Sequence, residues 1–271
     1  MVLRVALALG VIYVATVMIA WRYQDRLAFP APRRTLPPPE ALGITDGEPV
    51  IVTTEDGLAL GGWYLPARNA PARAPALIWF YGNMETVASL APIIRWLRHP
   101  DIALLIVDYR GYGENAGTAT EPGLYRDGDA AWRYLAGRPD IDAARIAVYG
   151  RSLGSAVALH VAGRHPVAAV VLDSPFSSGR DMADLHYWFF PRFLLRHELD
   201  NVERAAALRI PLLVLHGTED RIAPARMGRA VAAAGHGTLV EIRGAGHNET
   251  YDLGAEAYRT GVHAFLDEAL R

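Results

Sequence analysis

The stretch Ala147-Val148-Tyr149-Gly150-Arg151-Ser152-Leu153-Gly154-Ser155-Ala156 is an apolar strand that breaks at Gly150 and resumes as a small-residue helix after Ser152. It is a G-x-S-x-G turn between strand and helix, the setting in which a serine is held in a strained bend with its hydroxyl presented. The flanking glycines have a steric reason, because a Cβ at either would collide with the neighbouring strand or the next helical turn. Working outward, apolar runs alternate with helical patterns on both sides. Upstream, Val50 to Thr53 and Leu58 to Leu65 read as an antiparallel hairpin across Glu55-Asp56-Gly57. Ala76 to Phe80, Ile102 to Val107, Arg145 to Tyr149, Val167 to Leu172, Ile210 to Leu215 and Leu239 to Ile242 supply six further strands. Thr86 to Leu97, Leu124 to Leu135 and about Glu249 to Leu270 carry helical periodicity. The rhythm predicts an α/β architecture, a mostly parallel eight-stranded sheet flanked by helices, with ligands at the carboxyl ends of its strands.

Composition narrows the function classes. At 271 residues and 51% hydrophobic, the chain suits one large domain with a short appendage and ample core. Net charge is −2, all 27 basic residues are arginine, and none form a block, so nothing points to nucleic acid. Cysteine is absent, which removes a disulfide framework and a thiol nucleophile. The nine histidines lack metal-ligand spacing, and no metal is implied.

Val5 to Trp21 is an uninterrupted 17-residue apolar run bounded by Arg4 and Arg22. As a helix it is about 26 Å long, enough to span a bilayer with its ends in the interface, where Trp21 and Tyr23 fit an aromatic belt. A cleaved signal peptide is the competing reading, though Met18 stands where a small residue is wanted before Ala20. Residues 1–28 are thus expected to be a single-pass anchor and its juxtamembrane turn, with the side of the membrane unresolved. Residues 29–43, with Pro30, Pro32 and Pro37-Pro38-Pro39, read as a semi-rigid spacer holding the body, 44–271, off the membrane.

A serine hydroxyl is a weak nucleophile and needs a histidine base and a carboxylate to orient that base. Both candidates lie downstream. Asp220 follows a strand in His216-Gly217-Thr218-Glu219-Asp220, and His247 follows the last strand in Gly244-Ala245-Gly246-His247. Both belong to the sheet edge that carries Ser152, and the order Ser, Asp, His is that of one of the three unrelated serine-hydrolase arrangements. Glu219 and Asp173 compete for the acid. His216, directly after a buried strand, reads as a core residue, Asp108 and Arg110 as a structural ion pair, and Arg151 as a structurally paired arginine.

On Tyr81-Gly82-Asn83, Asp108-Tyr109-Arg110-Gly111-Tyr112-Gly113, the Ser152 turn, Asp173-Ser174-Pro175-Phe176, His216-Gly217 through Asp220, and Gly246-His247, the chain resembles the α/β-hydrolases. It is most similar to their small N-terminally anchored branch, which includes membrane-bound acyl hydrolases and protein depalmitoylases. The resemblance implies an α/β-hydrolase fold with Ser152, Asp220 and His247 as the triad and the main-chain N–H groups of Leu153 and Asn83 as the oxyanion hole. Two positions depart from the family pattern: Tyr81 stands where histidine is usual before glycine, and Asn115 where serine is common.

Residues 177–208 are too long for a simple crossover and predict a small helical cap. Its centre, Tyr187-Trp188-Phe189-Phe190, reads either as packing onto the core or as an apolar lip, with Trp188 and Phe190 contacting an acyl chain. The expectation is a membrane-anchored serine hydrolase acting on an ester or thioester of a small or lipid-like acyl substrate, without cofactor. A peptidase on the same machinery and a silent scaffold are the alternatives.

Overall fold

The computed structural model describes residues 1–69 and 73–271. The chain opens with a helix α1, Val2–Ala28. The strands are β1 (Glu48–Thr53), β2 (Ala59–Leu65), β3 (Ala74–Phe80), β4 (Ala103–Val107), β5 (Ile141–Arg151), β6 (Ala169–Asp173), β7 (Leu212–Gly217) and β8 (Thr238–Ile242). They form one sheet in the order β1-β2-β4-β3-β5-β6-β7-β8. β2 is antiparallel to both β1 and β4, and every other pairing is parallel. The central strands β3, β4 and β6 are buried at every residue, as their unbroken Ala, Val, Ile and Leu runs require of parallel strands covered on both faces.

The remaining helices are α2 (Ala91–Leu97), α3 (Glu121–Ala136), α4 (Leu153–Arg164), α5 (Gly179–His186), α6 (Asn201–Ala207), α7 (Ala225–Ala234) and α8 (Thr250–Ala269). Two adjacent β5 residues show how they sandwich the sheet, because successive side chains point to opposite faces. Tyr149 reaches α8, where its hydroxyl lies 2.7 Å from that of Tyr258. Gly150 faces α4, where a Cβ would come within 2.7 Å of Ser155 Cα and 2.8 Å of Ala158 Cβ. The interval between β6 and β7 folds as α5, a 3-10 turn at Arg192–Leu194, and α6. Ser178 and Asp200 cap the two helices by accepting the amides of Asp181 and Glu203.

Residues 29–43 do not stand off as a spacer. Phe29 is buried, the Gly113 amide donates to the Pro32 carbonyl at 3.0 Å, and Trp63 Nε1 donates to Pro37 at 3.1 Å. The extended geometry imposed by proline leaves carbonyls free on a stiff strand, and the body uses them as acceptors. α1 likewise continues past the apolar run and docks on the cap. Gln24 donates to the Leu194 carbonyl and accepts the Arg196 amide, and Asp25 lies 2.8 Å from His197 Nε2.

Candidate active site

β5 delivers Ser152 in a backbone conformation of φ 49°, ψ −114°, inside the positive-φ region that side chains avoid. The bend is held from below by the Ser152 amide, which donates to the Asp173 carbonyl at 2.9 Å. Gly154 lies so close to β3 that a Cβ would run into the Phe80 carbonyl and come within 2.8 Å of the Tyr81 oxygen. The geometry therefore needs glycine at 150 and 154.

Three strand ends meet at this turn. His247 Nε2 lies 2.9 Å from Ser152 Oγ, and its Nδ1 lies 2.7 Å from Asp220 Oδ2. Asp220 is buried and also accepts the amides of Ile222 and Ala223 at 2.9 and 2.8 Å. Burial alone would raise its carboxyl, but hydrogen bonds from His216, His247 and the Ala223 amide outweigh it and hold the group well below the usual carboxylate range. With Nδ1 facing an ionised carboxylate, Nδ1 carries the proton and Nε2 presents its lone pair to the Ser152 hydroxyl.

The rival acid is placed elsewhere. Asp173 is wholly buried and is engaged by Thr250 Oγ1 at 3.0 Å and Ser174 Oγ at 3.2 Å, with Arg151 Nε at 3.4 Å. Burial pushes its carboxyl upward. Glu219 is exposed, and its amide donates to Ala245.

Asn83 and Leu153 both line the cavity above Ser152. Among the described residues, neither amide donates to a protein acceptor. The Asn83 side chain pins its own main chain, with Nδ2 donating to the Ala28 carbonyl at 2.8 Å and Oδ1 accepting from Tyr112 Oη at 2.7 Å. The two departures from the family pattern have local roles. Tyr81 Oη donates to Asp108 at 2.8 Å, and Asn115 Oδ1 accepts the Gly61 amide at 2.9 Å, tying the 108–115 loop to β2. The expected Asp108–Arg110 pair does not form. Arg110 bonds Asp127 and Asp56 instead, because its side chain turns toward α3 and the β1–β2 turn.

The sequence read His216 as a core residue and Arg151 as a paired arginine, and both reach further into the site than that. His216 Nε2 lies 2.7 Å from the Ala223 carbonyl and 3.2 Å from Asp220 Oδ2, so it touches the carboxylate as well as filling core. Its four-residue spacing from Asp220 was the available signal. Arg151 joins three loops: it meets Glu85 at 2.5 Å, the His247 carbonyl at 3.0 Å and Asn248 Oδ1 at 3.0 Å, while Glu85 Oε2 accepts the Gly82 amide at 2.7 Å.

The cavity measures about 520 Å³. Its lining includes Ser152 and His247, Phe190 and Leu195 of the cap, and Gln24 and Leu27 of α1. Trp188 is outside the lining and is 82% exposed, contrary to the expectation of an acyl contact, because the turn at 187–190 sends Phe190 inward and Trp188 outward. Among the described residues, no cluster of three or more His, Cys, Asp or Glu is arranged to hold a metal ion.

A family model described as "Serine aminopeptidase, S33" matches residues 72–201, a span that includes Asn83 and Ser152 and ends before Asp220 and His247. An uncharacterised protein of Mycobacterium tuberculosis is 38% identical over 257 residues, covering 93% of this chain and 90% of the relative. The α/β hydrolase domain-containing protein WAV2 of Arabidopsis thaliana is 29% identical over 285 residues, covering 96% and 92%. Among solved structures, an esterase of Pyrococcus furiosus superposes with a TM-score of 0.74 at 20% identity, covering 89% of this chain and 98% of that one, a likeness of fold.

Proposed function

Because the chain belongs to the α/β-hydrolase family, we propose that it is a single-pass, membrane-anchored serine hydrolase cleaving carboxylic esters or thioesters by acyl transfer. The observation that carries this reading is the unbroken hydrogen-bonded chain Ser152–His247–Asp220, whose first two members line a mainly apolar cavity. In the first half-reaction Ser152 Oγ attacks the acyl carbonyl carbon while His247 Nε2 takes the hydroxyl proton. Asp220 holds the imidazole in the right tautomer and stabilises the imidazolium. The Leu153 and Asn83 amides receive the oxyanion, and Nε2–H protonates the departing alkoxide or thiolate. Water, activated by the same nitrogen, then releases the acid.

The family model's description makes an aminopeptidase the second reading. Its substrate would bring a terminal ammonium that needs a carboxylate, and among the described residues no Asp or Glu lines the cavity. An acyl chain fits the lining better. The anchor reading is supported by α1, which is long and apolar enough to cross a membrane, with a mean hydropathy of 2.3 in its most apolar window.

Purified protein should be labelled by a fluorophosphonate and should hydrolyse p-nitrophenyl esters, and Ser152→Ala should lose both. Each methylene buried in the cavity contributes about 0.8 kcal/mol, so specificity should rise with acyl length until the groove is full. A wild-type protein inert to both reagents would remove the hydrolase assignment.

A further inference from the structure

The contacts between α1 and the cap fix how deep the body sits relative to the apolar run. Trp21, at the end of that run, lies under the Arg196 guanidinium at 4.6 Å. Eight residues earlier, Tyr13 Oη donates to the Phe189 carbonyl at 3.1 Å. At 1.5 Å per residue the cap tip therefore reaches about 12 Å along α1 from Trp21 toward the N-terminus. Half of a hydrocarbon core is about 15 Å, so a bilayer crossed by α1 with Trp21 at its interface also contains the tip.

The tip is built for that environment. Trp188 and Phe193 are 82% and 86% exposed, a poor arrangement in water. Part of the tip's backbone is taken internally: the amides of Phe190 and Leu194 donate to the Tyr187 and Pro191 carbonyls, and the Phe189 and Leu194 carbonyls accept from Tyr13 and Gln24. The tip's one charged side chain, Arg192, is paired with Asp184 and has the reach to snorkel toward headgroups. The cavity completes the pattern. Its lining includes Leu27, Gln24 and Ala20 of α1 as well as Ser152, and Ala20 lies inside the apolar run.

We infer that the cap tip, residues 187–194, is immersed in the leaflet nearest the body, and that acyl chains pass laterally from that leaflet to Ser152 along the seam between α1 and the cap. This rests on the reading of the chain as a membrane-anchored acyl hydrolase. α1 is then a wall of the substrate path as well as a tether.

The chain has no cysteine, so single sites can be labelled in the full-length protein. Trp188→Cys and Phe193→Cys, and Arg164→Cys on α4 as reference, would each carry an NBD fluorophore in phosphatidylcholine vesicles containing acyl-chain nitroxide lipids. Fluorophosphonate labelling of Ser152 monitors the fold of each variant. Emission at 188 and 193 should be blue-shifted and quenched several-fold more strongly than at 164, whereas equal weak quenching at all three overturns the inference. A second arm compares a long-chain ester dissolved in the vesicles with a short water-soluble ester. Phe193→Glu should lower kcat/KM about tenfold for the first and leave the second unchanged, and an equal effect on both, or none on either, rejects lateral entry. Failure of the hydrolase reading looks different, because wild-type protein would then turn over neither ester and take no fluorophosphonate.

Discussion

Asp220 Oδ2 receives His247 and His216 together, while its other oxygen holds two amides. Removing one donor from a carboxylate so placed weakens its hold on His247 without unmaking the site. His216→Phe should lower kcat about tenfold with little change in KM, and His216→Gln, which can restore an N–H at the same reach, should recover most of it. Asp220→Asn should impair turnover far more, since an amide stabilises the wrong tautomer, whereas Asp173→Asn should act on stability. Steady-state kinetics on the four variants decides both points. Asp108 gives a pH prediction: burial pushes its carboxyl up to about 6 against the bonds from the Val87 amide and Tyr81. Between about pH 4 and 6 the folded protein holds a proton that the unfolded chain, near the ordinary value, has lost. This group's contribution is therefore complete below pH 4 and is lost as pH rises through 6, a change of about 3 kcal/mol. Asp108→Asn stays neutral, so its melting temperature should gain on wild type by roughly 5 °C between pH 4 and pH 7.5. A constant gap would mean that Asp108 titrates normally.

Elements differed in how plainly the sequence announced them, and burial explains the difference. β3, β4, β6 and β7 are legible because strands covered on both faces must be apolar throughout. The first residues of β5, Ile141 to Arg145, carry an exposed Ala143 and a half-buried Asp142, and so look like loop. α7 is mostly alanine, glycine and arginine, with Met227 and Val231 as its large apolar side chains, too few to mark an apolar stripe. α8 reads as one helix but turns at Ala255, where φ is 41°. Ser152, Asp220 and His247 were legible because the chemistry demands those residue types just after strands. Arg151 was legible as a paired arginine, but its partners, Glu85 among them, were not, because a clamp between loops has no fixed spacing. That clamp spans the Gly82 loop, the Ser152 turn and the His247 loop. Losing the arginine leaves Glu85 and the wholly buried Asp173 without their cation. Arg151→Met should cost about 3–5 kcal/mol of stability and lower kcat more than it changes KM. Thermal melts with kinetics on the surviving fold test this, and normal kcat in a destabilised protein would make the clamp purely structural.

At the scale of the whole molecule, the N-terminal 43 residues are the part whose packing on the body the sequence did not announce, since an apolar run and a proline-rich segment each have a familiar meaning as independent pieces. The missed signal was polar: Gln24 and Asp25 extend the helix beyond the apolar run, and both are spent on the cap. Truncations should therefore fall into two classes. Deleting residues 1–12 removes exposed helix alone and should leave short-ester hydrolysis near the full-length value. Deleting residues 1–28 strips the cavity of its Gln24 and Leu27 wall, removes the carboxylate beside His197, and takes away the carbonyl that Asn83 Nδ2 holds. A buried donor or acceptor left without its partner costs about 1–3 kcal/mol. Losing several should lower the melting temperature of the shorter form by roughly 5–10 °C relative to the 1–12 deletion. Its KM for short esters should rise as well, because one side of the groove opens to water. Matching melts and matching KM values for the two truncations would show that α1 acts as a tether alone and that the cap needs no support from it.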